Sequence, residues 1–312
     1  MTLNSYLDTY KDEILGGVRC SERGKPFAQG TIYGLTRTIS IIKEYQNETG
    51  KVINWDDIDI DFYHNFINYL RCHNLKTNTI GKYVCILKTI LANAEYEGYH
   101  HNIAYRSKKF KVFKESTEGI FLTHEELNAM YSVDLSAYPR VYSTVRDIFL
   151  IGVYTVQRFS DYSTINKDCL SFIRDDYPIL TIVQKKTGKK VCIPCMKKLY
   201  KILEKYNFTL PHICPQNFNK YIKVIAKEAG LGKRADFVTS HTARRTGATL
   251  LYLAGVDLLD IMKITGHSSS NMLKLYIKAD ELDVAEKLIN KYPFFKYRRE
   301  RNYKRCNGRC FR

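Results

Sequence analysis

No stretch of the sequence approaches the roughly 20 consecutive apolar residues that a membrane-spanning helix needs. The first residues, MTLNSYLDTYKDE, are polar, with neither a basic start nor an apolar stretch behind it. That argues against a secretory leader and leads to the expectation of a cytoplasmic protein. A disulfide framework is missing too: the nine cysteines are odd in number and irregularly spaced, as in a reduced intracellular chain. Two close pairs, Cys192 with Cys195 and Cys306 with Cys310, lack the second half that a four-ligand zinc site requires, so no metal is expected. Acidic residues are scarce, 32 against 49 Lys and Arg, giving a formal net charge of +17 and a pI of about 9.3. Such an excess attracts polyanions, phosphate backbones above all. No segment reads as a basic amphipathic helix with an exposed apolar face, which places a membrane surface behind nucleic acid as the partner.

What is present suffices for two domains: 312 residues, 45% of them hydrophobic. Ile32, Leu35, Ile39 and Ile42 recur at helical spacing, as do Phe62, Phe66 and Leu70, then Ile80, Val84, Leu87 and Leu91. With breakers at Gly16-Gly17, Gly24 to Pro26, Gly50, Asn74 and Gly98, residues 1–104 read as a bundle of about four helices. Thr77, Asn78 and Thr79, beside Lys76 and Lys82, begin the last one. They can hold phosphate at a helix start or simply cap it. Residues 105–119 carry Lys108, Lys109, Lys111 and Lys114 with little helical period. They are expected as a basic linker, either following a duplex or serving as a solvated hinge.

A second domain is expected over 120–297. Thr123 with Glu126 forms a capping box. A long apolar helix through Val145, Ile148, Phe149 and Val153 follows, then strands over Cys169–Ile173, Ile179–Gln184 and Lys190–Ile193, with Thr187-Gly188 as the last turn. The remainder reads as helical to about Tyr292. Residues 298–312 form a basic tail expected to lack fixed structure in isolation.

Four local patterns carry chemistry. Arg158 follows the apolar helix and precedes Ser160-Asp161. A hairpin tip holds Lys185, Lys186, Lys189 and Lys190. Ser240, a candidate N-cap, precedes His241 and Arg244, three apart on one helix face. Gly266 can end a helix in the left-handed conformation before His267. Ser268 or Ser269 can start the next helix, to which Met272, Leu273 and Leu275 give an apolar side. Tyr276 lies nine residues after His267. Alone, each pattern is weak, and the chain has 24 tyrosines. Asp161 also reads as a helix cap and His267 as a turn histidine. His73, His100, His101 and His124 show no partner pattern and are expected at the surface, and Tyr292 to Phe295 as packing.

In this order, Arg158, a hairpin lysine, His241-x-x-Arg244, Gly266-His267 and Tyr276, the chain resembles the tyrosine recombinase, or phage integrase, family over 120–292. Its first domain resembles that family's SAM-like core-binding domain. The resemblance implies a mainly α fold: a four-helix core-binding domain, then an α+β catalytic domain with a small three-stranded antiparallel sheet, the two forming a clamp on double-stranded DNA. It implies that Arg158 and Arg244 hold the scissile phosphate, that Lys186, His241 and His267 assist, that Tyr276 attacks, and that Asp161 supports the site from behind. Lys186 is chosen by counting back from Ile193-Pro194, with Lys185, Lys189 and Lys190 as rivals. Arg245 is a rival to Arg244 that points about 100° away on the helix. Where the family often has Gly-Leu before its first arginine, this chain has Val156-Gln157, expected to alter packing only.

The implied activity is site-specific DNA cleavage and rejoining through a 3′-phosphotyrosyl bond, with no cofactor, ATP or metal. Arginine stays charged and bonds two oxygens at once, so two arginines and imidazoles can offset the charge that develops on phosphate. A phenol with a pKa near 10 needs a base, for which His241 is placed, and Lys186 would protonate the departing 5′-oxygen. Integrase or invertase of a bacterial mobile element, at the nucleoid, is the implied role. A start directly at core-binding helices leans toward recombination at simple core sites. The resemblance further implies a homotetramer on two sites, with residues 281–295 packing into a neighbouring protomer or returning to their own core, and accessory DNA-bending proteins as further partners. A type IB topoisomerase-like relaxing enzyme and a DNA-binding protein with a decayed site are the alternatives.

Overall fold

The computed structural model describes residues 1–21, 24–115 and 119–291. The chain divides into two compact units, Met1–Thr117 and Glu118–Arg312. The basic tail, the aromatic run from Tyr292 to Phe295, and Cys306 with Cys310 lie outside the described residues.

The first unit is built on α1 (Leu3–Leu15), α2 (Gln29–Thr49), α3 (Ile60–Cys72) and α4 (Thr77–Tyr96). Thr2 caps α1 by accepting the Ser5 N–H, and Asp59 caps α3 by accepting that of Phe62. Gly50 ends α2 at φ 67°, a conformation that costs glycine nothing. The periodic residues read from the sequence meet in one core, where Ile39, Ile42, Phe66, Leu70, Val84, Leu87 and Leu91 join Tyr6, Leu7 and Tyr10 from α1. Each such large side chain contributes about 1.5–3 kcal/mol by leaving water.

Two expectations need correction here. The stretch from 105 is no free linker. Phe110 is buried with its ring 4.5 Å from that of Tyr63. The Tyr63 hydroxyl donates to the Lys111 carbonyl and accepts its N–H, and Lys88 donates to the Phe110 carbonyl. A Cβ on Gly81 would lie 1.9 Å from the Phe113 oxygen, so α4 takes the segment in close contact. The phenylalanines between the lysines bind this stretch to the first unit. His100, expected at the surface, is also buried, stacked on Trp55 at 4.6 Å with Nε2 3.0 Å from the Leu91 carbonyl.

The second unit opens with α5 (His124–Ser132), which carries the Thr123–Glu126 capping box, and α6 (Arg140–Thr155), which buries Val145, Ile148, Phe149 and Val153. After α7 (Phe159–Tyr162), β1 (Leu170–Ile173), β2 (Tyr177–Val183) and β3 (Lys190–Pro194) form an antiparallel sheet in that order. Leu180 pairs with Leu170 on one side and Ile193 on the other. Then come α8 (Lys197–Lys205), α9 (Pro215–Glu228), α10 (Ser240–Leu253), α11 (Leu258–Thr265), α12 (Ser270–Lys274) and α13 (Glu281–Lys291). Glycine lets α6 and α10 approach: a Cβ on Gly247 would sit 2.2 Å from the Val153 oxygen, and one on Gly152 would be 3.0 Å from the Ala243 Cβ and 2.6 Å from the Tyr162 ring of α7. No described helix is long and apolar enough to cross a membrane. No group of three or more His, Cys, Asp or Glu among the described residues could hold a metal ion.

Candidate active site

The site begins where α6 ends. Val156 adopts φ 57° and is almost wholly buried. A β-branched residue in that region costs on the order of 1–3 kcal/mol, and the turn aims its carbonyl at Arg244. Two residues on, Arg158 stands at the N-cap of α7. Its Nη1 is 3.4 Å from Gln184 Oε1 and 3.9 Å from Asp161 Oδ2. Asp161 is buried within α7, and Oδ1 accepts the backbone N–H of Lys185 at 3.0 Å. Its carboxylate therefore fixes the base of the lysine hairpin instead of capping a helix.

The N-cap of α10 is Thr239, not Ser240. Thr239 and Thr242 form the reciprocal cap, while the Ser240 N–H goes to Asn219 on α9. This start presents His241 and Arg244. Arg244 is 1% exposed, the largest fully buried side chain described. Its Nη1 donates to the Val156 carbonyl at 3.0 Å, and its Nη2 to the Thr265 carbonyl at 2.8 Å and toward His267 Nε2 at 3.3 Å. Burial, then the Arg158 charge, pushes its pKa down to about 10. The buried Nε makes no hydrogen bond. The Arg245 guanidinium packs against Gly119 and makes none of these contacts.

Hydrogen bonding fixes the His267 tautomer. Thr265 Oγ1 donates to the Ile261 carbonyl, so it accepts from His267 Nδ1 at 2.8 Å. That leaves Nε2 as the acceptor facing Arg244. Burial, then Arg244, Arg158 and Lys189, pushes the His267 pKa down to about 4. His241 keeps an exposed edge. Loss of water on its inner side, then Arg245, Arg244, Arg158 and Lys186, lowers its pKa from 6.5. Both imidazoles are thus neutral near pH 7.

Gly266 ends α11 in the left-handed conformation and Ser269 caps α12. The apolar side expected of α12 is Leu273 alone, fully buried beside Val156, Ala248 and Ile261, while Met272 and Leu275 are exposed. The helix stops at Lys274, so Tyr276 sits in the turn beyond it, half-buried, with its N–H on the Leu273 carbonyl. Its ring centre is 5.2 Å from Arg244 Cζ and 4.9 Å from the His267 ring. Lys186 is exposed at the hairpin turn, near enough to His241 to act on its charge, and Lys189 stands likewise toward His267.

Arg158, His241, Arg244, His267, Tyr276 and Asp161 therefore converge, with Lys186 and Lys189 on the exposed hairpin beside them. Two guanidiniums and flanking lysines face one carboxylate, an excess of positive charge that suits a multivalent anion. Of the residues expected to meet DNA, Lys76, Lys82, Lys108, Lys109 and Lys111 are exposed on the first unit and Thr77 and Thr79 are half-buried. Asn78 is committed elsewhere, its amide exchanging two hydrogen bonds with the Glu115 backbone.

A family model described as the phage integrase family matches residues 120–282. The chain belongs to that family. A second model, the phage integrase SAM-like domain, matches residues 18–112. A protein described as a tyrosine recombinase, from Thermosipho africanus (strain TCF52B), is 23% identical over 229 residues, spanning 68% of this chain and 77% of the relative. Among solved structures, a lambda integrase tetramer bound to a Holliday junction is similar with TM-score 0.69 and 21% identity, over 89% of this chain and 78% of that one. The Tn1549 transposon integrase in complex with a circular intermediate DNA gives TM-score 0.69 and 17% identity, over 92% and 99%. These likenesses show the integrase fold, with the expected helical first part and small antiparallel sheet.

Behind this integrase site lies a layer that sequence reading missed. Gln157 and Gln184 are both fully buried and bonded to each other. Gln157 stands where a packing change alone was expected. The usable signal was a glutamine closing each of two apolar runs, where a polar side chain is unusual.

Proposed function

We propose that this phage integrase family member is a site-specific recombinase that cuts and rejoins double-stranded DNA through Tyr276. The observation that carries the reading is the buried Arg244 guanidinium, held between His267 and the ring of Tyr276 with Arg158 close by. A cation buried without a carboxylate partner is costly, and a phosphodiester between the two arginines would offset that cost. Tyr276 Oη attacks phosphorus and passes its proton to neutral His241. The bond to the 5′-oxygen breaks, that oxygen takes a proton from Lys186, and a 3′-phosphotyrosyl bond remains. A 5′-hydroxyl from another strand reverses the step. The arginines hold the non-bridging oxygens, His267 steadies Arg244 by accepting at Nε2, and Asp161 keeps the hairpin lysine in place.

The first unit serves as the core-binding domain, with Lys76, Lys82, Lys108, Lys109 and Lys111 on phosphates. Exchange takes place in a homotetramer on two sites, as in the lambda integrase tetramer on a Holliday junction. α13 is suited to join the protomers: it has no buried residue, and Leu282 and Ile289 are exposed. The work is that of a mobile-element integrase or invertase acting at the nucleoid in the cytoplasm, helped by DNA-bending proteins. Nicked duplexes tiling the DNA that flanks the gene test this. A detergent-stable protein–DNA complex, formed at one site without ATP or metal, is the expected result. Relaxation of plasmids lacking any such site would favour a type IB topoisomerase-like enzyme, and no covalent complex on any duplex would leave a DNA-binding protein.

A further inference from the structure

The two buried glutamines form a chain whose direction is fixed by its ends. Gln157 Nε2 lies 3.0 Å from the Thr155 carbonyl and 2.8 Å from that of Ile264, so this end donates. Gln157 Oε1 must then accept, and it does so from Gln184 Nε2 at 2.7 Å. The second N–H of that nitrogen reaches the Thr265 carbonyl at 2.8 Å. Gln184 Oε1 is left to accept from the Thr187 hydroxyl at 2.7 Å and from Arg158 Nη1 at 3.4 Å. All four hydrogen-bonding positions of the Gln184 amide are filled.

Each bond leads to a different part of the site. Thr187 is the residue after Lys186 in the hairpin turn. Arg158 is one arginine of the pair. The Thr265 carbonyl also accepts from Arg244, and the Thr265 hydroxyl holds His267. Gly266 leaves room for the amide, since a Cβ there would fall 2.5 Å from Gln184 Oε1. A buried amide with every bond made has one orientation and little freedom to yield.

We infer that Gln184, tied through Gln157, is a positioning residue that sets the lysine hairpin in register with the two arginines. This rests on the strand-cleavage reading above. It acts through Thr187 on the hairpin, where Lys186 delivers its proton to the leaving oxygen, so the defect of a variant should depend on how much the leaving group needs that proton. A 5′-bridging sulfur, whose thiol has a pKa of about 8.5, departs as a thiolate without one.

The test compares single-turnover cleavage of one cognate duplex carrying oxygen or sulfur at the bridging 5′ position. Gln184→Met is expected to slow cleavage of the oxygen substrate by about 10- to 100-fold and that of the sulfur substrate clearly less, since the lost Arg158 contact acts on both and the lost hairpin contact only on the first. Thr187→Val, at an exposed position that cannot unfold the core, should lose about three- to tenfold on oxygen, one hydrogen bond's worth, and almost nothing on sulfur. Equal losses on both substrates, or no loss in either variant, overturn the positioning role while a cleaving parent leaves the recombinase reading intact. A parent chain that forms no covalent complex on either duplex overturns both.

Discussion

The guanidinium carbon of Arg244 lies 5.2 Å from the centre of the Tyr276 ring. Elements on either side of Gly266 bring about this meeting: α10 carries the arginine inward, and the short α12 ends just before the tyrosine. The buried cation faces the phenol from which negative charge would be donated to phosphorus, and its fork is anchored on the Val156 and Thr265 carbonyls. Arg244→Lys keeps the charge and loses the fork. Single-turnover cleavage should fall roughly 100- to 1000-fold, with the folded structure retained by circular dichroism. Cleavage within threefold of the parent would show that the fork is dispensable.

Acid sensitivity follows from the histidines. His241 holds its pKa below 6.5, so its neutral form persists to lower pH and the acid limb of the cleavage rate should lie below pH 6.5. His267 affects stability as well. Its folded pKa of about 4 is under the unfolded value of about 6.5. Between those values the unfolded chain binds the extra proton. The stabilising effect is full above pH 6.5 and is lost as pH falls toward 4. Thermal unfolding at pH 7.5, 5.5 and 4.5 should show a steeper acid loss for the parent than for His267→Asn. Parallel curves would contradict the assignment.

Phe110 tests where the first unit ends. It is 1% exposed in the same core as Phe66 and Leu70. Phe110→Ala should destabilise that unit by about 3–5 kcal/mol, read from denaturant unfolding followed at Trp55. A change below about 1 kcal/mol would restore the basic-linker reading of 105–119.

Deleting residues 281–312 removes α13, which buries no residue of its own and meets α10 through Lys287, whose Nζ is 3.5 Å from the Tyr252 ring centre. The melting temperature should change little, while assembly of the protein on paired DNA sites, followed by gel shift, should be lost. Unchanged assembly would refute the exchange of this segment between protomers.

Much of this was legible because it is local. Periodic apolar residues announced α2, α3, α4 and α6, while Thr123, Gly266 and the Thr187-Gly188 turn marked the start of α5, the end of α11 and the turn between β2 and β3 through backbone chemistry. The reacting side chains were legible as an order of residue types. What the sequence concealed depends on distance. Gln184 bonds to partners 27 and 81 positions away, and neither separation leaves a periodic trace. The positive φ of Val156 contradicts its own residue type, since tertiary packing around Arg244 overrides the local preference. Phe110 was hidden among lysines whose charges dominated the reading of that stretch.

The most direct test is to identify the residue that bears the DNA. A nicked cognate duplex should trap the complex, and nuclease followed by trypsin should leave a nucleotide on the peptide Leu275–Lys278, carried by Tyr276. The account predicts that adduct in the parent and none in Tyr276→Phe. An adduct on any other residue, or a covalent complex that survives Tyr276→Phe, would contradict it.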